Sequence, residues 1–409
     1  MVQEQIVSSE KTNKYGEIHQ DEPQLRFKEF SEPFKEVLLG DISSNGMYGM
    51  NCAAKEFDGE NKYIRITDID ENSHNFVPNP LSSPDGVLED KFLLKENDIV
   101  FARTGASTGK SYLYEKNDGK LYFAGFLIKL EITKAHAPFV YYNTLRENYN
   151  NWVSIMSVRS GQPGINLEEY KKFKINLPSL EEQKKVANFL SAVDKKIELL
   201  DKKYQNKIIF KEEFFNNYIS NMYDTEQKIK LDKLITISNE RNKNDEDIQV
   251  LSISNKLGFI SQEEQFEDRI VASSDTNNYK IVKKGYFAYN PARINVGSIA
   301  RLKGYEKGII SPMYIVFKID ENLLNPTFFE NYLSTNYFKL EILKRLEGSV
   351  RLILSADSLK NIEIYVPPLD EQNEISAFLN NLSKNINLTK KELDNFKEFK
   401  KGLLQKMFV

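Results

Sequence analysis

Apolar positions recur every seven residues in two stretches of this chain. In the first, Val186, Val193 and Leu200 form one series, and Leu190, Ile197 and Tyr204 form the other. In the second, Ile375, Leu382, Phe396 and Leu403 form one series, broken at Thr389, while Leu379, Ile386 and Leu393 form the other. Spacing of this kind over about three heptads predicts long helices that pair through an a/d seam. The alternative is two independent amphipathic helices, each packed on its own domain. Lys207 and Lys211 interrupt the first seam and Lys400 the second, so the distal parts are expected to splay or fray.

Elsewhere the pattern changes to strands and turns. Residues 62–66 alternate polar and apolar side chains, and residues 98–102 form a short apolar run behind the turn at Lys95-Glu96-Asn97. Residues 121–130 read as one bent strand or two, and residues 138–145 as a helix opened by Pro138. A second set answers in the same order, at residues 250–254, 282–289 and 326–333. The helical stretches also repeat. Pro178-Ser179-Leu180-Glu181-Glu182-Gln183 returns as Pro367-Pro368-Leu369-Asp370-Glu371-Gln372, offset by 189 residues. An internal duplication of this length organises the whole reading. It predicts an N-terminal arm (1–22), a first globular domain (23–178), a first helix (179–222), a second globular domain (223–367) and a second helix (368–409). The expected fold is α+β: two similar domains joined by long helices that form an antiparallel coiled-coil spacer, with pseudo-twofold symmetry. About 40 helical residues span roughly 60 Å.

Composition narrows the classes. The formal net charge is -3, which argues against coating nucleic acid by charge alone and leaves room for a basic face balanced by acidic helices. The lone Cys52 rules out an intramolecular disulfide framework, and one Cys with three His (His19, His74, His136) argues against a Cys/His zinc site. No apolar run approaches the roughly 18 residues that cross a bilayer, and the polar N-terminus lacks an apolar signal core, so a cytoplasmic protein without membrane partners is expected.

Several signals look catalytic on a first pass. Gly105-Ala106-Ser107-Thr108-Gly109-Lys110-Ser111 has three residues between its glycines, where a P-loop has four. The following Tyr112-Leu113-Tyr114 reads as a strand, so a glycine-bearing β-loop is expected. No Asn/Asp-Pro-Pro-aromatic motif is present to hold a flipped adenine, and no glycine fingerprint follows a strand. No catalytic residue, metal site or cofactor is expected. The Glu-Glu-Gln and Asp-Glu-Gln runs suit helix N-termini, where acids favour the dipole.

Taken in order, these motifs resemble the DNA-specificity subunit of Type I restriction-modification systems. The resemblance is carried by Leu25-Arg26-Phe27-Lys28-Glu29-Phe30, by residues 37–42, by residues 97–105, and by the duplicated Leu177-Pro178-x-Leu180-Glu181-Glu182-Gln183 and Val366-Pro367-Pro368-Leu369-Asp370-Glu371-Gln372. The second copy departs at Tyr289-Asn290-Pro291-Ala292-Arg293 and near Gly348-Ser349-Val350-Arg351. The resemblance implies a non-catalytic subunit whose two target recognition domains each read half of a bipartite site in double-stranded DNA. Its helices set the gap and dock two adenine methyltransferase subunits, and nuclease/translocase subunits can join. Base-edge and phosphate contacts then belong to polar residues on loops beside strands. The candidates are Arg65, Thr67, Arg103, Thr104, Lys110, Arg159 and Gln162 in the first domain, and Ser252, Asn255, Arg293, Asn295, Arg301 and Arg351 in the second. Phe101, Tyr122, Phe123, Tyr286, Phe287 and Tyr289 are assigned to the core. The competing classes are a non-enzymatic adaptor holding two protein-binding domains and an enzyme built on the loop from Gly105 to Lys110.

Overall fold

The computed structural model describes residues 22–223, 227–243, 248–255, 257–262, 276–348 and 352–409, together with the backbone of Ile6–Ser8. The chain forms two compact units, one of residues 1–200 and 392–409, the other of residues 201–391.

In the first unit β1 (Ile6–Ser8) lies antiparallel on β2 (Leu25–Phe27). The strands β3 (Lys35–Leu38), β4 (Met47–Tyr48), β5 (Ala53–Glu56), β6 (Lys62–Ile64), β7 (Ser82–Asp85), β8 (Asp98–Ala102), β9 (Ser111–Leu113), β10 (Leu121–Phe123), β11 (Leu127–Glu131) and β12 (Lys174–Leu177) follow. The main sheet has the order β4-β11-β8-β9. All five residues of β8 are buried, Asp98 paired with Lys129, and the four apolar ones after it form an unbroken run inside the sheet. Residues 121–130 are two strands: β10 pairs parallel with β6, β11 antiparallel with β8, and a turn at Ala124–Phe126 separates them. The alternation over 62–66 ends early. Tyr63 and Ile64 are both buried, and Arg65 caps a 3-10 turn, Ile66–Asp68.

Three short helices complete this domain: α1 (Ala137–Asn143), α2 (Glu147–Met156) and α3 (Leu167–Tyr170). Pro138 lies in the first turn of α1, where its missing N–H costs nothing. The long helix α4 (Leu180–Asn221) follows Pro178-Ser179 and carries Glu181 and Glu182 in its first turn.

The second unit repeats the plan with β13 (Lys228–Lys230), β14 (Ile235–Ser238), β15 (Leu251–Ser254), β16 (Gly258–Ser261), β17 (Lys280–Lys283), β18 (Phe287–Tyr289), β19 (Ile299–Arg301), β20 (Lys307–Ile310), β21 (Ile315–Ile319) and β22 (Glu363–Tyr365). Its main sheet has the order β14-β21-β18-β19, so β18 takes the place of β8. The helices are α5 (Pro326–Tyr332), α6 (Asn336–Lys344), α7 (Ala356–Lys360) and the long α8 (Leu369–Lys406). Phe101, Tyr122, Phe123, Phe287 and Tyr289 are buried, and Tyr286 is half-buried against the cluster of Leu251, Val282 and Val316.

The duplicated glutamine performs one task in both copies. Gln183 accepts from the His136 N–H at 2.9 Å and donates to the Pro178 carbonyl at 2.9 Å. Gln372 accepts from the Asn325 N–H at 2.7 Å and donates to the carbonyls of Pro367, at 2.8 Å, and Leu323, at 3.0 Å. His136 and Asn325 precede α1 and α5, so each glutamine ties a long helix to a proline-opened short one. The acid before it is also engaged. Glu182 is buried and takes both Nε and Nη2 of Arg26, at 2.9 and 2.8 Å, while Glu371 accepts from the Tyr218 hydroxyl at 2.8 Å.

Within each unit the long helices run antiparallel. In the first, Asp194 pairs with Lys400 at 2.7 Å, and Lys196, further along α4, pairs with Glu392, further back on α8. In the second, Lys207 donates to Thr389 at 2.9 Å, Phe214 meets Phe378, and Tyr218 reaches Glu371. Val186, Leu190 and Val193 share one buried cluster with Leu403, Leu404, Met407 and Phe408 and with the globular residues Phe101 and Phe139. Leu200, Leu379 and Leu393 are buried too, and Ile197, Tyr204, Ile375, Leu382, Ile386 and Phe396 are half-buried. The expectation of splayed ends is overturned. Two of the three lysines that break the heptads are polar locks: Lys400 holds Asp194 and lies over the Tyr142 ring, and Lys207 holds Thr389. Beyond Lys400, the last turns are anchored by Leu403, Leu404, Met407 and Phe408, which bury in the first domain's core.

Candidate nucleic-acid interface

The loop from β8 to β9 carries three of the seven candidates of the first domain, Arg103, Thr104 and Lys110. It enters a strand, not the helix that a P-loop requires. Gly105 and Gly109 adopt positive φ of 78° and 93°, and a Cβ on Gly109 would meet Val153 at 2.6 Å. Two buried tyrosines hold it from below. The Tyr149 hydroxyl donates to the Gly109 carbonyl at 2.7 Å, and the Tyr170 hydroxyl donates to Ala102 O at 2.6 Å while accepting from Gly109 N–H. Burial pushes both phenols above their ordinary range, so each stays a neutral donor. On the outer side, Thr104 bridges to Gly164 and the Gly105 N–H donates to Pro163 O at 3.0 Å. This brings Gln162, which is exposed, against Gly105.

Arg103 is half-buried and lies near two rings. Its guanidinium lies 5.1 Å from the Tyr48 ring centre and 5.8 Å from that of Phe126, and its Nε donates to Gly125 O at 3.0 Å. Tyr48 and Phe126 are both exposed aromatics. The turn that presents Phe126 is held by Gly125 N–H on Met50 O at 2.7 Å and by Arg103 N–H on Phe126 O at 3.0 Å. Gly49 permits this approach, because a Cβ there would lie 2.3 Å from Ala124 O.

The other basic candidates of this domain hold anions of the chain itself. Arg65 clasps Asp68 through Nε and Nη2, both at 2.8 Å, with exposed Thr67 between them in sequence. Lys110 pairs with Glu71 at 2.8 Å and donates to Ile69 O at 3.1 Å. Arg159 grips both oxygens of Glu169 at 2.6 Å and also donates to the Met156 and Val158 carbonyls.

In the second domain the loop from β18 to β19 occupies the same place. Asn290 is buried and accepts from Ala292 N–H at 3.0 Å. Arg293 opens the 3-10 turn Ile294–Val296, which ends at Gly297 with a φ of 91°, and both Arg293 and Asn295 are exposed. Asn290 Nδ2 lies 3.9 Å from the sulfur of Met313, whose exposed side chain sits in the turn before β21 as Phe126 does before β11. Arg301 pairs with Glu330 at 2.9 Å and donates to Thr327 at 3.2 Å. Ser252 is half-buried in β15, and Asn255 is exposed in the turn after it. Arg351 lies outside the described residues.

The structure therefore brings Arg103, Thr104 and Gln162 together in one domain, and Arg293 and Asn295 in the other. It also adds Tyr48, Phe126 and Met313, which the sequence reading missed. Phe126 sits within the aromatic stretch 121–130, where nothing separates a core ring from a turn ring. Among the described residues no group of three or more His, Cys, Asp or Glu is placed to hold a metal ion, and no helix is long and apolar enough to cross a membrane.

Comparison with known proteins covers most of the chain. The family model described as Type I restriction modification DNA specificity domain matches residues 31–208 and again 227–398. A Type I restriction enzyme specificity subunit, MjaVIII of Methanocaldococcus jannaschii, is 23% identical over 349 residues, covering 78% of this chain and 80% of its own. A crystal structure of a Type I restriction-modification S subunit from M. genitalium is similar in fold, with a TM-score of 0.61 and 16% identity over 95% of this chain and 99% of that one. A chain from a study of complex assembly and conformational transition in the type I R-M system matches with a TM-score of 0.52 and 15% identity, over 92% and 97% of the two chains.

Proposed function

The chain belongs to the Type I restriction-modification DNA specificity family, and from that premise we propose that its two domains each read one half of a bipartite, asymmetric site in double-stranded DNA. The loops leaving β8 and β18 supply the base-edge contacts, and the candidate residues beside them that are not engaged in ion pairs position the DNA backbone. The paired helices fix the gap between half-sites and dock two adenine methyltransferase subunits, which carry the chemistry. This chain contributes no catalytic group. Nuclease/translocase subunits join the same core, and the complex acts on genomic DNA in the cytoplasm. On this reading the domains take the bounds 23–178 and 223–367, and the helices 179–222 and 368–409.

The observation that carries the reading is the matched pair of loops. Each leaves the equivalent strand of an equivalent sheet, each carries an arginine, and each touches an exposed apolar side chain, Phe126 beside Arg103 and Met313 beside Asn290. Two copies of one partner are supported by the outer faces of the helices. Leu199 and Leu388, 189 residues apart, are 65% and 66% exposed, and Phe210 and Phe399, at the same offset, are 51% and 49% exposed. Large apolar residues kept exposed at both copies of a position suit a surface that is covered twice by the same protein.

The test is genome-wide adenine methylation with the cognate methyltransferase, with and without this chain. A new split motif that requires the chain is expected. An assembled, active complex without one would refute the reading and favour an adaptor.

A further inference from the structure

The arginines of the described residues separate into three groups. Arg26, Arg65, Arg159, Arg301 and Arg345 hold carboxylates through their terminal nitrogens. Arg146 and Arg241 spend theirs on the chain, Arg146 on Asn143 and Val409 O and Arg241 on Asn278. Only Arg103 and Arg293, among the described residues, keep both terminal amino groups without a partner. They are also the two arginines on the loops that leave β8 and β18.

Arg103 is prepared for a particular ligand geometry. Its guanidinium lies over the Tyr48 and Phe126 rings, at 5.1 and 5.8 Å from their centres, and Gly125 O takes its Nε. What remains is the edge bearing Nη1 and Nη2. A planar pair of donors fits two acceptors side by side, and the major-groove edge of guanine offers O6 and N7 in that arrangement. Stacking and the Nε bond hold the plane in place before binding, so little side-chain freedom is left to lose. Phe126, 56% exposed beside it, presents a flat apolar surface to whatever neighbours the guanine. In the second domain Arg293 leads a tight turn, and Met313 stands 59% exposed with its sulfur against Asn290 of the same loop.

We propose that Arg103 and Arg293 are the guanine-reading residues of the two half-sites, one in each domain, and that Phe126 and Met313 pack on the neighbouring base pair. This rests on the reading that the two domains bind DNA. It follows that each half-site contains a G·C pair at the position facing its arginine. Arg65, Lys110, Arg159 and Arg301, locked in ion pairs, serve the loops themselves.

The experiment is methylome sequencing of the assembled complex carrying Arg103→Lys or Arg293→Lys. Lysine keeps the charge that a phosphate contact needs and loses the two-pronged fit. Expected for Arg103→Lys is a roughly 10- to 100-fold drop in methylation at the original motif, with relaxation at one G·C position of one half-site and none in the other. Arg293→Lys should do the same to the opposite half-site. Phe126→Ala removes one of the two rings beside Arg103 but keeps Tyr48 and the Gly125 bond, so it should weaken preference most at the adjacent pair and less at the guanine. Trp152 fluorescence in each variant reports that the first domain is folded. A wild-type split motif that both lysine variants methylate unchanged would overturn this inference and leave the proposed function standing. So would a uniform loss at all sites, the mark of a phosphate contact. A wild-type complex with no split motif would overturn both.

Discussion

The duplicated glutamine permits a quantitative test. Gln183 is 4% exposed and makes two hydrogen bonds, to the His136 N–H and the Pro178 carbonyl. Gln183→Leu keeps much of the volume and strands both groups. A buried polar group left without a partner costs about 1–3 kcal/mol. The Pro178 carbonyl is buried and the His136 N–H partly so, which puts the total near 3 kcal/mol. With a urea slope of about 2 kcal/mol per molar, the midpoint should fall by about 1.5 M. Trp152 is the only tryptophan and packs on Tyr149 and Phe173 in the first unit, so its fluorescence reports that unit. Gln372→Leu strands three partners and should cost the second unit more, read by circular dichroism with the Trp152 transition little moved. Gln183→Glu adds a sign test. Its carboxylate would accept from His136 but face the Pro178 carbonyl, whereas a protonated carboxyl can donate there as the amide does. The folded state therefore raises that group's pKa above the ordinary value of about 4.3. The deficit is present above the raised pKa and relieved as pH falls through it. A loss below about 0.5 kcal/mol for Gln183→Leu would refute the clamp, because it would mean that neither stranded group is desolvated.

Three other outcomes are expected. Arg26→Leu leaves the buried Glu182 carboxylate unpaired and should cost the first unit about 3–5 kcal/mol, with Arg26→Leu/Glu182→Leu recovering most of it in the same urea assay. Burial holds His74 below its ordinary value of 6.5, so the folded chain binds fewer protons; stability is full above that value and declines as pH drops through it, and His74→Asn, which tolerates the positive φ of 57°, should flatten the dependence of the Trp152 midpoint between pH 7 and pH 5.5. Lys400→Glu would set like charges against Asp194, which also accepts from the Tyr142 hydroxyl, and hydrogen exchange over residues 401–409 should quicken; unchanged protection would show that the lock is dispensable.

Much of the architecture could be read from spacing. The heptads around Val186 and Leu379 marked the two long helices, and the offset of 189 residues marked two similar domains. The apolar run 98–102 became β8 as expected, since a strand buried on both faces needs no alternation. Readings that treated a local break as local damage failed. Lys207, Lys400 and Thr389 interrupt the heptads yet lock the helices, because each polar group meets a partner far away in sequence. Arg65 looked like a loop arginine open to a ligand, and Asp68, three residues on, takes it.

The sequence by itself determined the two long helices, the proline-opened short ones and several strands, and that the plan occurs twice. Those are properties of neighbouring residues: periodicity, backbone freedom and helix-end chemistry. Only the tertiary structure decided which charges are spent and which are free. Eleven arginines have the same side chain, and what separates Arg103 and Arg293 among the described residues is that neither a carboxylate nor a carbonyl takes their terminal nitrogens. A guanidinium's availability depends on atoms brought near by folding, as Glu182 is to Arg26 across 156 residues. No local pattern records that distance.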